Sequence, residues 1–118
     1  MKSTKEFNPV VQLYLAVKNS KEERAQGLDP CVAELCYEVH KGSSLYKAAK
    51  KRNISYSNAW NRIKKAETSL GIKLLIREST RSMKLTFEGE KIINHYMALQ
   101  EKLDETALQF YEEIKKQV

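Results

Sequence analysis

Between Ser57 and Arg62 the chain carries a hydroxyl, two carboxamides (Asn58 and Asn61) and a guanidinium within six residues. An asparagine can pair with the N6 and N7 edge of adenine, and an arginine with O6 and N7 of guanine. Each good bidentate pair discriminates by about 1–3 kcal/mol. Ser44, Tyr56, Lys65, Arg77, Arg81 and Lys84 carry hydroxyls and cations suited to phosphate oxygens, whose contacts position a protein without reading sequence. The competing explanation for any one of these residues is a solvated surface side chain.

Other chemistry finds less support. Cys36 and His40 stand at i and i+4, a metal-ligand spacing, but Cys31 lies about 140° from Cys36 around a helix and cannot join them readily. Two ligands make no metal site, and Cys36 is expected as a buried structural thiol. There is no nucleotide-binding glycine loop and no recognisable Ser/His/Asp frame, and His40 and His95 are the two histidines. The pairs Glu22-Glu23 and Glu112-Glu113 sit beside lysines as solvated faces. The expectation is a protein without catalysis, cofactor or metal.

The formal charge is +6 over 118 residues. It is unevenly placed: residues 41–84 hold 12 basic and 2 acidic side chains, net +10, whereas residues 1–40 are net −1 and residues 85–118 net −3. Such a block repels itself unless it faces a polyanion, and nucleic acid is the usual one. The length suits one domain, 1–118. Two cysteines are too few for a disulfide scaffold. The most apolar stretch, Val10 to Val17, is far short of a bilayer span and has no signal-peptide arrangement, which points to a cytoplasmic protein without membrane contact.

The elements that must position these groups follow from periodicity and caps. Val11, Leu13, Leu15 and Val17 alternate, so Val10 to Val17 predicts an N-terminal strand, and Lys18 to Gly27 a polar loop. Asp29-Pro30 is an N-cap followed by a first-turn proline, and Val32, Leu35, Cys36 and Val39 repeat at helical spacing, predicting a helix over 30–41 that Gly42 stops. Ser43-Ser44 caps a short helix, Leu45 to Arg52, with the small apolar stripe Leu45, Ala48 and Ala49. Asn53 suits a left-handed turn, Ile54 plugs the corner, and Ser55 caps a third helix, Tyr56 to Leu70. That helix buries Ala59, Ile63, Ala66 and Leu70, and Trp60 is expected beside them as packing. The two helices and their short turn match a helix-turn-helix, with Ser57, Asn58, Asn61 and Arg62 at the end that would enter a groove first.

Leu74–Ile76 and Met83–Leu85, joined by a basic connection, read as a β-hairpin wing. Thr86 caps a last helix over 87–116, with Glu88 and Glu90 in its first turn. Along it Ile92, Tyr96, Leu99, Leu103, Ala107, Phe110 and Ile114 recur at spacings of three and four. About 30 residues make a helix of about 45 Å, longer than so small a domain covers. The surplus seam, Tyr96, Leu99, Leu103, Ala107, Phe110 and Ile114, is therefore expected to meet the same helix of a second copy.

These strings carry a family likeness. Gly42-Ser43-Ser44-Leu45-Tyr46-Lys47-Ala48-Ala49, Ile54-Ser55-Tyr56-Ser57-Asn58-Ala59-Trp60, Ile63-Lys64-Lys65-Ala66-Glu67, Leu70-Gly71-Ile72-Lys73-Leu74-Leu75-Ile76-Arg77 and Leu85-Thr86-Phe87-Glu88-Gly89 resemble the winged helix-turn-helix of LysR-type regulators. The Ile-Ser-Tyr-x-x-Ala-Trp string and the leading strand resemble more closely the N-terminal domain of ModE, the molybdate-responsive regulators. The likeness spans about residues 10–100. It implies a dimeric transcription factor that binds double-stranded DNA, with the second helix of the motif in the major groove and the wing on the backbone.

Two departures qualify it. The glycine-rich wing of ModE-like proteins is replaced by the shorter Ser79-Thr80-Arg81-Ser82-Met83. Within these 118 residues neither an oxyanion-binding domain nor the effector domain of LysR-type regulators is expected, and molybdate sensing is not expected to carry over. The expected fold is mainly α: a three-helix core with a short β-wing, an N-terminal strand and a long C-terminal dimerisation helix. The alternative is a winged-helix interaction module docking a protein or RNA through its basic face.

Overall fold

The computed structural model describes residues 8–16, 18, 27–80 and 82–117. In chain order the elements are β1 (Leu15–Ala16), β2 (Gly27–Leu28), α1 (Pro30–His40), α2 (Leu45–Lys51), α3 (Tyr56–Leu70), β3 (Leu75–Arg77), β4 (Met83–Leu85) and α4 (Phe87–Gln117). The fold is mainly α, with two small antiparallel strand pairs, β1 with β2 and β3 with β4.

The helices begin where side chains satisfy their free N–H groups. Asp29 accepts from the Val32 N–H at 2.8 Å, and Pro30 occupies the first turn of α1. The Ser44 and Ser55 hydroxyls accept from the N–H groups of Lys47 and Asn58, at 3.1 and 3.0 Å. Asn53 takes the left-handed conformation between α2 and α3, φ 59°. Gly71 ends α3 at φ 73°, a conformation that a side chain would strain.

Helix α1 is the hub, packing against α2, α3 and α4. Its buried Val32, Ala33, Leu35, Cys36 and Val39 join Leu45, Ala48 and Ala49 of α2 and Ala59, Ile63 and Ala66 of α3. Leu28, Leu74, Leu75, Leu85, Ile93 and Tyr96 close the core. Gly89 lets the first turn of α4 sit against the hairpin: a Cβ there would lie 2.6 Å from the Leu74 carbonyl oxygen. The Thr86 hydroxyl accepts from the Gly89 N–H at 2.9 Å and donates to the Lys73 carbonyl, tying the helix start to β3.

The N-terminal strand is shorter than its alternation predicts. Among the described residues only Leu15–Ala16 pairs, opposite Leu28 and Gly27. Leu13 and Leu15 are half-buried, Val11 is exposed, and Val17 lies outside the described residues. The extended backbone before β1 finds its partners on helix side chains: Tyr96 donates to the Leu13 carbonyl, and Gln100 bonds both Leu13 N–H and Val11 carbonyl. Of the expected loop Lys18 to Gly27, residues 19–26 lie outside the described set, and Gly27 belongs to β2. Helices α1 and α2 each stop one residue earlier than their patterns suggest, because Lys41 and Arg52 serve as C-caps. Among the described residues no helix is long and apolar enough to cross a membrane.

Candidate nucleic-acid interface

Helix α3 divides its side chains by face. Ala59, Ile63, Ala66 and Glu67 are buried, while Ser57, Asn58, Asn61, Arg62, Lys65 and Thr68 are exposed on the other side. The four residues expected to read bases therefore share one open surface at the N-terminal half of the helix. Two of them act together. The Arg62 Nε donates to Asn58 Oδ1 at 2.7 Å, which occupies the Asn58 carbonyl and orients the guanidinium while leaving its terminal amino groups available.

The remaining polar candidates surround this helix. Tyr56 is exposed at its first turn and Lys65 two turns along. Ser44 is exposed at the start of α2, its hydroxyl engaged as the cap. In the hairpin, Ile76 faces Lys84 and Arg77 faces Met83. Adjacent residues of a strand point to opposite sides, so Ile76 and Lys84 share the outward face, while Leu75 and Leu85 are buried on the other. Arg77 Nη1 donates to the Thr80 carbonyl at 3.1 Å, and Ser79 and Ser82 hydroxyls bond each other at 2.9 Å, which closes the wing turn. Arg81 lies outside the described residues.

Two residues near the recognition face have structural work that their types did not announce. The buried Glu67 carboxylate accepts from the N–H groups of Leu74 and Leu75, at 2.7 and 3.2 Å, and so joins α3 to β3. Lys64 pairs with it at 3.2 Å and lies 4.4 Å from the centroid of the half-buried Trp60 ring. Lys64 is thereby drawn off the open face, and Trp60 packs as expected. A signal for Glu67 existed in its spacing: it falls one residue after Ala66, inside the buried arc, where an unpaired carboxylate would not be tolerated.

Cys36 is fully buried, and that burial, with the negative charge of Glu67 second, pushes its thiol up to about 12. His40 is exposed. Among the described residues no three His, Cys, Asp or Glu side chains gather closely enough to hold a metal ion.

Along α4 the expected seam is split. Tyr96 is 2% exposed, and its hydroxyl donates to Leu13, so it belongs to the core of its own protomer and not to a seam. Leu103 and Ala107 are half-buried, and Leu99, Phe110 and Ile114 are exposed.

A three-helix core, a capped turn before an exposed polar helix and a following β-hairpin define a winged helix-turn-helix domain. Residues 33–90, just under half of the chain, match the bacterial regulatory helix-turn-helix protein, lysR family. The ModE likeness remains one of short residue strings. Solved structures agree on the fold. DarR of Vibrio fischeri in complex with DNA is 20% identical with a TM-score of 0.63, over 75% of this chain and 30% of that one. The BenM DNA-binding domain on catB site 1 DNA is 26% identical, TM-score 0.61, over 75% of this chain and 89% of that one. ArgP from Mycobacterium tuberculosis is 26% identical, TM-score 0.57, over 72% and 31%. The chain thus spans under a third of DarR and of ArgP. No curated protein matches it.

Proposed function

We propose that this protein binds double-stranded DNA in a sequence-specific manner and acts as a transcriptional regulator, a cytoplasmic binding protein without catalysis. The observation that carries the reading is the exposed face of α3, with Ser57, Asn58, Asn61 and Arg62 opposite the buried Ala59, Ile63 and Ala66. A helix of this diameter fits the major groove, and its N-terminal residues meet base edges first. Ser57, Asn61 and the Asn58–Arg62 pair read bases. Ser44, Tyr56, Lys65, Arg77, Arg81 and Lys84 hold phosphates on either side. The chain is one domain, 1–118, and α4 pairs two copies through Leu99, Leu103, Ala107, Phe110 and Ile114, so that two recognition helices face successive turns of the duplex.

Duplex DNA binding measured across a salt series tests this. Neutralising several phosphates makes log affinity fall linearly and steeply with log salt. Absence of duplex binding at low salt overturns the reading, and binding confined to RNA or to a protein would replace it.

A further inference from the structure

Residues 8–14 form an extended strap laid along α4, before the residues that match the family. It is held by side chains and not by a sheet. Gln100 clasps it from both directions: its Oε1 accepts from the Leu13 N–H at 3.1 Å and its Nε2 donates to the Val11 carbonyl at 2.6 Å. A further bond from Nε2 to Asp104 at 3.0 Å orients the carboxamide, and Tyr96 bonds the Leu13 carbonyl. This register keeps Val10 and Tyr14 turned outward, 73% and 42% exposed, with Val11 at 37%. At the far end Asn8, Pro9 and Val10 line a groove with Asp104 and Leu108.

The strap borders the seam of α4. Gln100 and Leu103 are i and i+3, neighbours on a helix surface. The seam itself is thin. Its large exposed apolar side chains are Leu99, Phe110 and Ile114, which present about 300 Å², less than half of the roughly 800 Å² that each partner gives to a specific stable interface. Val10, Val11, Tyr14 and Leu108 present about as much again, next to it. We infer that the partner surface for a second copy of this chain is the strap together with α4, and that Gln100 is the positioning residue that holds the strap in the interface. The inference rests on the homodimer part of the function proposed above. Val10, Val11 and Tyr14 then contact the partner's α4, and the strap sets how the two helices approach each other.

The test is the dimer dissociation constant of the full chain, by sedimentation equilibrium, with half-site DNA binding measured in parallel. Val10→Asp combined with Val11→Asp places charges on two exposed side chains. The expected result is a dimer dissociation constant raised about tenfold or more, with the thermal midpoint of the protomer and half-site binding unchanged. Phe110→Asp gives a loss of the same kind. A dimer constant equal to wild type in the strap variant, with Phe110→Asp monomeric, removes the strap from the interface and leaves the α4 seam standing. Wild-type protein that stays monomeric at its highest soluble concentration overturns both. A wild-type dimer that is weakened by the strap variant yet binds no DNA upholds the strap and removes the DNA reading.

Discussion

Helices α3 and α4 are both amphipathic, and they spend their apolar stripes differently. The stripe of α3 is buried along most of its length against α1, α2 and β2, which leaves a polar, cationic face open to solvent. The stripe of α4 is buried only at Gly89, Ile93 and Tyr96; beyond Tyr96 no described residue of this helix is buried. One helix completes the protomer and exposes polar groups. The other leaves the protomer and exposes apolar ones, within a molecule 59 Å long and 22 Å thin. An exposed face that is polar in this way suits a ligand met from water, and one that is apolar suits a lasting partner.

The difference can be broken most sharply by truncating one residue in each stripe. Ile63 is fully buried in α3, so Ile63→Ala should destabilise the protomer by about 3 kcal/mol, from the lost transfer energy and the cavity left behind. Ile114 is exposed, and Ile114→Ala should leave the protomer within about 0.5 kcal/mol of wild type while weakening self-association. Urea unfolding at low protein concentration reads the first effect, and sedimentation reads the second. Equal losses of protomer stability would mean that the end of α4 folds back on its own domain.

Glu67 sharpens the account of α3. Its carboxylate satisfies two backbone N–H groups at the entry to β3. Glu67→Ala should cost about 2–3 kcal/mol, because two donors are left without a partner in a buried site. Hydrogen exchange at Leu74 and Leu75 should accelerate more than exchange in α1. Unchanged exchange at these two amides would remove the bond from the stability of the wing.

Much of this architecture was legible because it is locally encoded. Asp29, Ser44 and Ser55 cap the helices that follow them, Asn53 and Gly71 adopt the left-handed turns that their types favour, and α3 keeps the predicted bounds Tyr56–Leu70. What was not legible depends on partners far along the chain. The alternation of Val11, Leu13 and Leu15 reads as a strand, yet the backbone there is claimed by Tyr96 and Gln100, more than 80 residues away. Tyr96 fits a heptad seam by spacing, yet its ring is buried in the core of its own protomer and its hydroxyl bonds the strap. In the candidate site, sequence places Asn58 and Arg62 on one face, but their i, i+4 hydrogen bond couples two residues whose types, taken singly, suit different bases.

That coupling matters for the DNA predictions, which carry effects of middle size. Arg62→Ala should reduce affinity for a preferred site by about 1–3 kcal/mol and flatten the preference at one base position. Asn58→Ala should alter the same position, since Asn58 orients Arg62. Lys84→Ala, on the outward face of the hairpin, should weaken all sequences evenly and lower the salt slope by about one. A panel of randomised duplexes separates the two patterns. Indistinguishable profiles for Arg62→Ala and Lys84→Ala would return α3 to being a general phosphate surface.

The smallest expected effect concerns the core that α3 helps to close. Burial, and then the charge of Glu67, hold the Cys36 thiol up at about 12 in the folded protein, above its ordinary value of 9.0. The unfolded chain therefore releases this proton first as pH rises, and the native state binds more protons between these two values. Stability from this group is fully present below pH 9 and is lost progressively as pH climbs toward 12. The loss is about 1 kcal/mol near pH 10. Tyr96, also raised to about 12 from 10.0, by burial first and then by Asp29 and Tyr14, adds to it only at still higher pH. Cys36→Ala should remove the part of the slope that begins near pH 9, whatever it does to stability at neutral pH. If the variant and the wild type lost stability in parallel between pH 9 and 10, the thiol would not be buried beside Glu67, and the packing of α1 on α3 would need revision.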